Sequence, residues 1–363
     1  MAKKPVRVCF VSPKTYPLFN PAAEGYFGGA EVDLYLIGTE LAKDEGFEVS
    51  FVTADYGQAD NEVIDDVTVI KSLDFNKNPL TSAVKIWWAM RQAGADIYVL
   101  KTPSAGVPLV ALFCLVNNKS FVYRSASTRE CDGTYLKEHY WLGRAFAWSL
   151  HKAKAVFVQN SVDKDNMVRT IGVSGEVVPN AHRIEESISS GRSVILWVGR
   201  SAPIKRPELF IELAEKNPEH SFVMICQHAT GDKNYDRLSY YAASVSNLEF
   251  HKHVPFADID GYFSRAKVFV NTSDSEGFPN TFIQACKSAT PILSLNVDPD
   301  GFLENNSCGL SCNGRPNRLS ENLKFMLEKD RYIELGRNAR KYAQDNHNIE
   351  KVIEQYKAVL KQF

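Results

Sequence analysis

Residues 193–200 read Ser193-Val194-Ile195-Leu196-Trp197-Val198-Gly199-Arg200, an unbroken apolar run that ends at a glycine and a cation. A run with no polar interruption suits a strand buried on both faces of a parallel sheet, whereas a half-solvated strand alternates. Its position in the chain gives it weight. A run of the same kind, Val6-Arg-Val-Cys-Phe-Val-Ser12, has already started the pattern near residue 6. The pattern of strand followed by helix therefore begins twice.

Outward from the second start, strand-like runs follow at Ser221 to Cys226, Leu248 to His251, Val268 to Asn271 and Ile292 to Leu295, and the stretch from Asn317 onward reads as almost wholly helical. After the first start they fall at Glu48 to Thr53, Val67 to Ile70, Ile97 to Leu100, Ser120 to Tyr123 and Ala155 to Gln159. Amphipathic stretches fill the gaps. Right-handed crossovers between such strands make a doubly wound α/β domain. The 363 residues suit two domains of about 100–200 residues each. The expected division is a Rossmann-like domain over 1–181, a polar linker over 182–192, a second Rossmann-like domain over 193–345, and a final helix, 346–363, packing back on the first. Two such domains are expected to face a central cleft, because open α/β sheets bind ligands outside the carboxyl ends of their strands.

The composition narrows the function. Hydrophobic residues make up 44% and charged residues 23%, so the chain is globular rather than disordered. Forty-two Lys and Arg against 43 Asp and Glu leave a formal charge of −1, which excludes broad nucleic-acid binding by phosphate neutralisation. After the basic Met1-Ala2-Lys3-Lys4-Pro5, the apolar run is too short for a signal-peptide core or a membrane span. The seven cysteines are scattered. Cys9, Cys114, Cys226 and Cys286 sit in or beside apolar runs, and Cys308 and Cys312 lack partners at metal-binding spacing. A reducing, cytoplasmic location is expected, with no metal.

Three segments carry chemistry. The strongest is Asn271-Thr-Ser-Asp-Ser-Glu276-Gly277-Phe278-Pro279-Asn280-Thr281-Phe-Ile-Gln284-Ala285. It reads as a strand end, a polar turn and a helix begun by Pro279, whose missing N–H costs nothing there. A helix start attracts an anion. Glu276 is placed to accept from sugar hydroxyls, and Gln284, one to two turns on, can reach a neighbouring one. A strand-turn-helix with a solvated Glu would look the same in isolation. The second segment is Val198-Gly199-Arg200 followed by Lys205-Arg206-Pro207-Glu208. It offers a planar fork and a compact charge to a diphosphate, where two solvated loop cations are the plainer alternative. The third, Tyr26-Phe27-Gly28-Gly29-Ala30-Glu31, joins a loop to a helix. It is neither a full dinucleotide fingerprint nor a P-loop, and a turn needing positive φ is its plainer reading.

Together these segments resemble retaining glycosyltransferases of family 4 in the GT-B superfamily (glycosyl transferases group 1). The resemblance implies that Gly28, Gly29 and Glu31 face the acceptor and the donor phosphate. It implies that Gly199, Arg200 and Lys205 bind the donor diphosphate, and that Glu276 to Pro279 begin a Glu-x7-Glu signature. Val178-Pro179-Asn180 matches the segment before the family's linker. On this basis the catalytic residues are Glu276, Arg200 and Lys205. Donor contacts are Gly199, Gly277, Phe278, Pro279, Asn280, Thr281, Gln284 and the backbone at Val254. The implied reaction is hexosyl transfer, with retention, from a UDP-sugar or GDP-sugar to a saccharide or lipid-linked acceptor, as in polysaccharide biosynthesis, with no cofactor or metal required.

Three departures stand out. Gln284 replaces the second signature Glu. Ala181-His182-Arg183 replaces Gly-Val-Asp. The neighbourhood Val122-Tyr123-Arg124-Ser125-Ala126-Ser127 lacks the His of many relatives, so Arg124 or Ser125 is expected to stand there on the acceptor side. A nucleotide-sugar 2-epimerase of the same fold and a non-catalytic sugar-nucleotide binder are the rival readings. Finally, Lys85-Ile-Trp87-Trp88-Ala-Met-Arg91 and Tyr140-Trp141-Leu-Gly-Arg144-Ala-Phe146-Ala-Trp148 mix aromatic and basic residues. Interfacial helices do so, and peripheral contact with the cytoplasmic face of a membrane is an expectation, against a core reading of the same stripes.

Overall fold

The computed structural model describes residues 4–185, 191–229 and 231–363. The start Met1-Ala2-Lys3 and residues 186–190 of the expected linker lie outside the described residues. The chain divides into two compact units, Met1–His182 with Ile349–Phe363, and Arg183–Asn348. Each is a Rossmann-like α/β unit.

The first unit contains β1 (Val6–Val11), β2 (Phe47–Thr53), β3 (Asn61–Ile64), β4 (Val67–Lys71), β5 (Ile97–Lys101), β6 (Ser120–Arg124), β7 (Ala155–Val158) and β8 (Glu176–Val177). They form one sheet in the order β3-β4-β2-β1-β5-β6-β7-β8. Every neighbouring pair is parallel except β3 with β4. The sequence reading did not include β3 and β8. Both are short edge strands whose residues are exposed or half-buried, so they lack the continuous apolar signal of the inner strands. β5, by contrast, is buried at every position.

Helices Pro79–Ala93, Gly106–Val116 and Tyr140–Lys152 cover one face, bringing Ile86, Met90, Val110, Phe113, Phe146 and Leu150 into the cluster that holds Tyr98, Phe121 and Tyr123. The first of them starts where Asn78 Oδ1 accepts from the Thr81 amide at 2.9 Å, with Pro79 in the first turn, and stops at the left-handed Gly94. On the other face, Phe10 stacks on Phe51 at 4.9 Å. Helix Ile349–Leu360 returns to this unit, Tyr356 meeting Phe157 at 4.7 Å.

The second unit contains β9 (Val194–Arg200), β10 (Ser221–Gln227), β11 (Leu248–His251), β12 (Ala266–Asn271), β13 (Ile292–Ser294) and β14 (Gly309–Ser311), all parallel, in the order β11-β10-β9-β12-β13-β14. Burial alternates by face with the strand period. Ile195, Trp197, Phe222, Met224, Val268 and Val270 point into one cluster, whereas Leu196, Val223, Ile225 and Phe269 point into the other. Helix Arg331–Asn346 approaches so closely at Gly336 that a Cβ there would lie 2.1 Å from the Ala289 carbonyl oxygen.

The strand order locates a crevice. The chain runs outward from β9 to β10 and β11, then returns to the opposite side of β9 with β12. The connections after β9 and β12 leave adjacent strand ends in opposite directions, which opens the space where doubly wound sheets bind ligands.

Candidate functional site

The two strongest sequence segments are the connections that flank this crevice. β9 ends at Gly199-Arg200, and a short turn, Pro203–Lys205, follows. β12 ends at Asn271, and the polar turn 272–279 follows. β9 and β12 are register partners at Leu196 and Phe269, so both connections begin at one edge of the sheet.

There Lys205 Nζ forms an ion pair with Glu276 Oε2. The other carboxylate oxygen, Oε1, accepts from Asn271 Nδ2 at 2.9 Å. Asn271 is itself fixed, because its Oδ1 accepts from the Ser273 amide at 3.1 Å. The side chains of Lys205 and Glu276 keep 24% and 15% of their accessible surface, enough to meet a ligand. Burial pushes the Glu276 carboxyl upward, but the Lys205 ammonium, with hydrogen bonds from Lys205, Ser273 and Asn271, outweighs it, so the net direction is down and the group is ionised.

The backbones of the two connections are tied as well. Thr272 Oγ1 donates to the Lys205 carbonyl at 2.7 Å and accepts from Trp197 Nε1 at 2.9 Å. The Asp274 amide donates to the Ile204 carbonyl at 2.9 Å. Arg206, at φ +45°, reaches Asp274 at 3.4 Å and Glu208 at 3.6 Å. Gly199 has a reason the sequence did not reveal: a Cβ there would stand 2.8 Å from the Trp197 ring, whose indole anchors Thr272. Asn271, Thr272 and Trp197 are the positioning residues that sequence reasoning passed over. The signal was an Asn-Thr-Ser strand end and a lone indole that, once buried, needs an acceptor.

The remaining second-unit residues divide. Arg200 is exposed at the end of β9, and among the described residues no side-chain hydrogen bond holds it. Gly277 and Pro279 are buried in the turn, and the helix runs Asn280–Lys287 with Pro279 as its cap, Thr281 half-buried in its first turn. Gln284 is buried, with 7% of its surface left. Phe278 was expected at the donor, but its ring lies in the core, 5.1 Å from Phe302 and 4.6 Å from the His347 ring. An aromatic that follows a polar turn fills the space beneath the helix it introduces. Val254 is buried among Leu196 and Ile225. It follows β11, an edge strand two positions from β9.

Of the first-unit residues, Gly28, Gly29 and Glu31 stay half-buried or exposed at a helix start, whereas Arg124 and Ser125 are buried. Glu31 Oε2 accepts from the Gly28 amide at 2.7 Å, so the helix Gly29–Leu41 satisfies one of its own first-turn donors. Gly28 has φ −125°, so the turn needs no positive φ. Arg124 is not offered to an acceptor. It has no exposed surface, its Nε lies 2.5 Å from Asp33 Oδ2, and its other nitrogens donate to Val178 O, Pro179 O and Asn180 Oδ1. Lys101, its register partner on β5, reaches the same carboxylate at 2.7 Å. Two adjacent strands each end in a cation, and buried Asp33 answers both, which holds its carboxyl down at about 2 despite burial.

Ser125 is also buried. The loop it begins is bound by buried Glu130, which accepts from Tyr123 Oη at 2.6 Å, the Ala126 amide at 3.0 Å and Ser127 Oγ at 3.2 Å. Burial pushes the Glu130 carboxyl up to about 7 from an ordinary 4.5, against those bonds. Between these values the folded state holds a proton that the unfolded state has lost, so stability falls as pH rises from 4.5 to 7. Urea midpoints measured across that window should lose this slope in Glu130→Gln, a difference of about 1 kcal/mol or more. An unchanged slope would remove Glu130 as its source.

Residues 180–346 match the family model Glycosyl transferases group 1, nearly the span of the second unit. The chain is similar to the putative glycosyltransferase YtcC of Bacillus subtilis, 25% identical over 154 residues. That match covers 40% of this chain and 38% of YtcC, well under half of the relative's length. Among solved structures, sucrose-phosphate synthase from Thermosynechococcus elongatus aligns with a TM-score of 0.80 at 17% identity over 98% of each chain. HepE from Anabaena, in complex with UDP-glucose, aligns with a TM-score of 0.74 at 14% identity over 98% of this chain and 100% of that one. At such identities the likeness establishes the fold: two Rossmann-like units of the GT-B type.

Proposed function

We propose that this chain, with a glycosyl transferases group 1 domain over residues 180–346, transfers a sugar from a nucleoside diphosphate donor to a saccharide or lipid-linked acceptor, as in polysaccharide biosynthesis. The observation that carries the reading is the Lys205–Glu276 pair, steadied by Asn271, at the switch point of the second sheet. In this reading Lys205 and the exposed Arg200 meet the diphosphate. An ammonium has three protons, so Lys205 can keep its bond to Glu276 while sharing another with a phosphate oxygen. Charge growing on the leaving diphosphate is stabilised by these cations, with no metal or cofactor required. Glu276, held ionised, accepts from the hydroxyls of the donor sugar, and Gln284 bonds the ribose as an amide. Retention of configuration and a UDP or GDP donor rest on the resemblance to family 4, and the UDP-glucose complex of HepE adds support for the UDP alternative alone.

A thermal-shift series with uridine, guanosine, adenosine and thymidine diphosphates tests the donor reading. A ligand at a hundred times its Kd adds about 2.7 kcal/mol of stability, a rise of several degrees. No rise with any of the four at millimolar concentration would end the proposal. Product analysis then separates the rivals. Conversion of the donor sugar without an acceptor makes the chain an epimerase, and binding without turnover over a broad acceptor panel makes it a non-catalytic binder.

A further inference from the structure

We propose that the outer face of three neighbouring helices in the first unit seats this chain on an anionic membrane surface. Helices Pro79–Ala93, Gly106–Val116 and Tyr140–Lys152 are 15, 11 and 13 residues long, and the middle one packs against both others. Trp87 meets Phe113 edge-on at 4.9 Å within this layer. The inner sides are spent on the core. The outer sides carry large apolar groups in the open: Leu80 is 81% exposed, Trp141 79% and Trp88 63%. These values rule out the core reading for the outer stripe.

The exposed groups are ordered along each helix. Leu80, Val84, Trp88 and Arg91 follow one another at four-, four- and three-residue steps, so they form a single stripe. Trp141, Arg144, Trp148 and Lys152, at three-, four- and four-residue steps, form another on the third helix. Leu112, Leu115 and Val116 are exposed on the helix between them.

Single exposed apolar residues need no explanation, but the composition of this face does. Four of the chain's five tryptophans lie on these helices, and none of its 43 Asp and Glu residues does. Their charged residues are Lys85, Arg91, Arg144 and Lys152, with His151 beside the last. Glu138, just before the third helix, is engaged by Arg129. Arg144 donates to Tyr140 Oη at 3.0 Å, placing a cation beside an aromatic ring. Tryptophan and tyrosine prefer the headgroup level, and cations without acids complement an anionic leaflet. No helix among the described residues is long and apolar enough to cross a membrane, so the contact is with the surface.

This inference does not rest on the sugar-transfer reading, and the nucleotide thermal shift serves as its control. The test is flotation of the full chain with vesicles of phosphatidylcholine alone and of phosphatidylcholine mixed with phosphatidylglycerol. The chain is expected to float with the anionic vesicles, less with the neutral ones, and less at high salt. The double variant Trp88→Glu/Trp141→Glu should bind the anionic vesicles about tenfold or more weakly, while melting and responding to nucleotides as before. Lys85→Glu/Arg91→Glu/Arg144→Glu should abolish the preference for anionic lipid. A chain that stays in the dense fraction with both vesicles, or a tryptophan double variant that floats like the parent, overturns the proposal. So does light scattering that shows a dimer dependent on the same tryptophans with no flotation, which would assign the face to a second copy of the chain.

Discussion

Lys205→Ala is expected to lower sugar transfer by about 10²-fold to 10³-fold, the usual loss when one charge-stabilising group is removed from a developing anion. The chain should stay folded. The side chains of Lys205 and Glu276 are partly exposed, at 24% and 15%, so the loss of a screened pair costs about 1 kcal/mol or less. Arg200→Ala should lose less stability still, since no side-chain hydrogen bond holds Arg200 among the described residues, yet also lose most transfer. Glu276→Ala should weaken turnover more than Gln284→Ala, because an ionised acceptor held by two side chains does more than a neutral amide. The measurements are steady-state release of nucleoside diphosphate and calorimetric affinity for it. Near-normal turnover and affinity in both cation variants would show that the phosphate lies elsewhere.

The largest stability effect is expected at Asp33. Asp33→Leu should destabilise the chain by about 3–5 kcal/mol, because it leaves two buried cations without a counter-charge. Lys101→Met should cost far less. It leaves a single neutralised pair, Asp33 with Arg124, whose guanidinium keeps its bonds to Val178, Pro179 and Asn180. Simple contact loss would predict similar costs, since Asp33 makes three side-chain hydrogen bonds and Lys101 two. Urea unfolding of the two variants decides the matter, and equal costs would refute the charge argument. The same cluster sets a limit at low pH. The Asp33 carboxyl is ordinarily near 3.8 and lies at about 2 here, so its contribution is intact above 3.8 and is lost as pH falls toward 2.

Much of the second unit was legible. Strand ends at Arg200 and Asn271, the turn at Glu276 and the helix after Pro279 all follow from apolar runs and turn chemistry, and these are the elements that flank the crevice. The first unit's expected site residues fared less well for an identifiable reason. Gly28-Gly29-Ala30-Glu31 fits a ligand-facing turn and a helix start closed by its own Glu equally, since the same Glu serves either. Arg124 lies at a strand end where ligands bind, but a strand end adjoins the core as well as solvent. Which way it turns depends on an acid 91 positions earlier.

The succession of apolar runs was sufficient to determine two doubly wound α/β units, because a parallel strand covered on both faces must be apolar throughout and its crossover must be a helix. That information is local and survives in a single chain. Only the tertiary structure decided the partners of the charged groups: Lys205 with Glu276, 71 residues apart, and Lys101 with Asp33, 68 apart. An ion pair forms between whichever strand ends the topology makes neighbours, and sheet order and register are properties of the folded chain, not of any stretch of it.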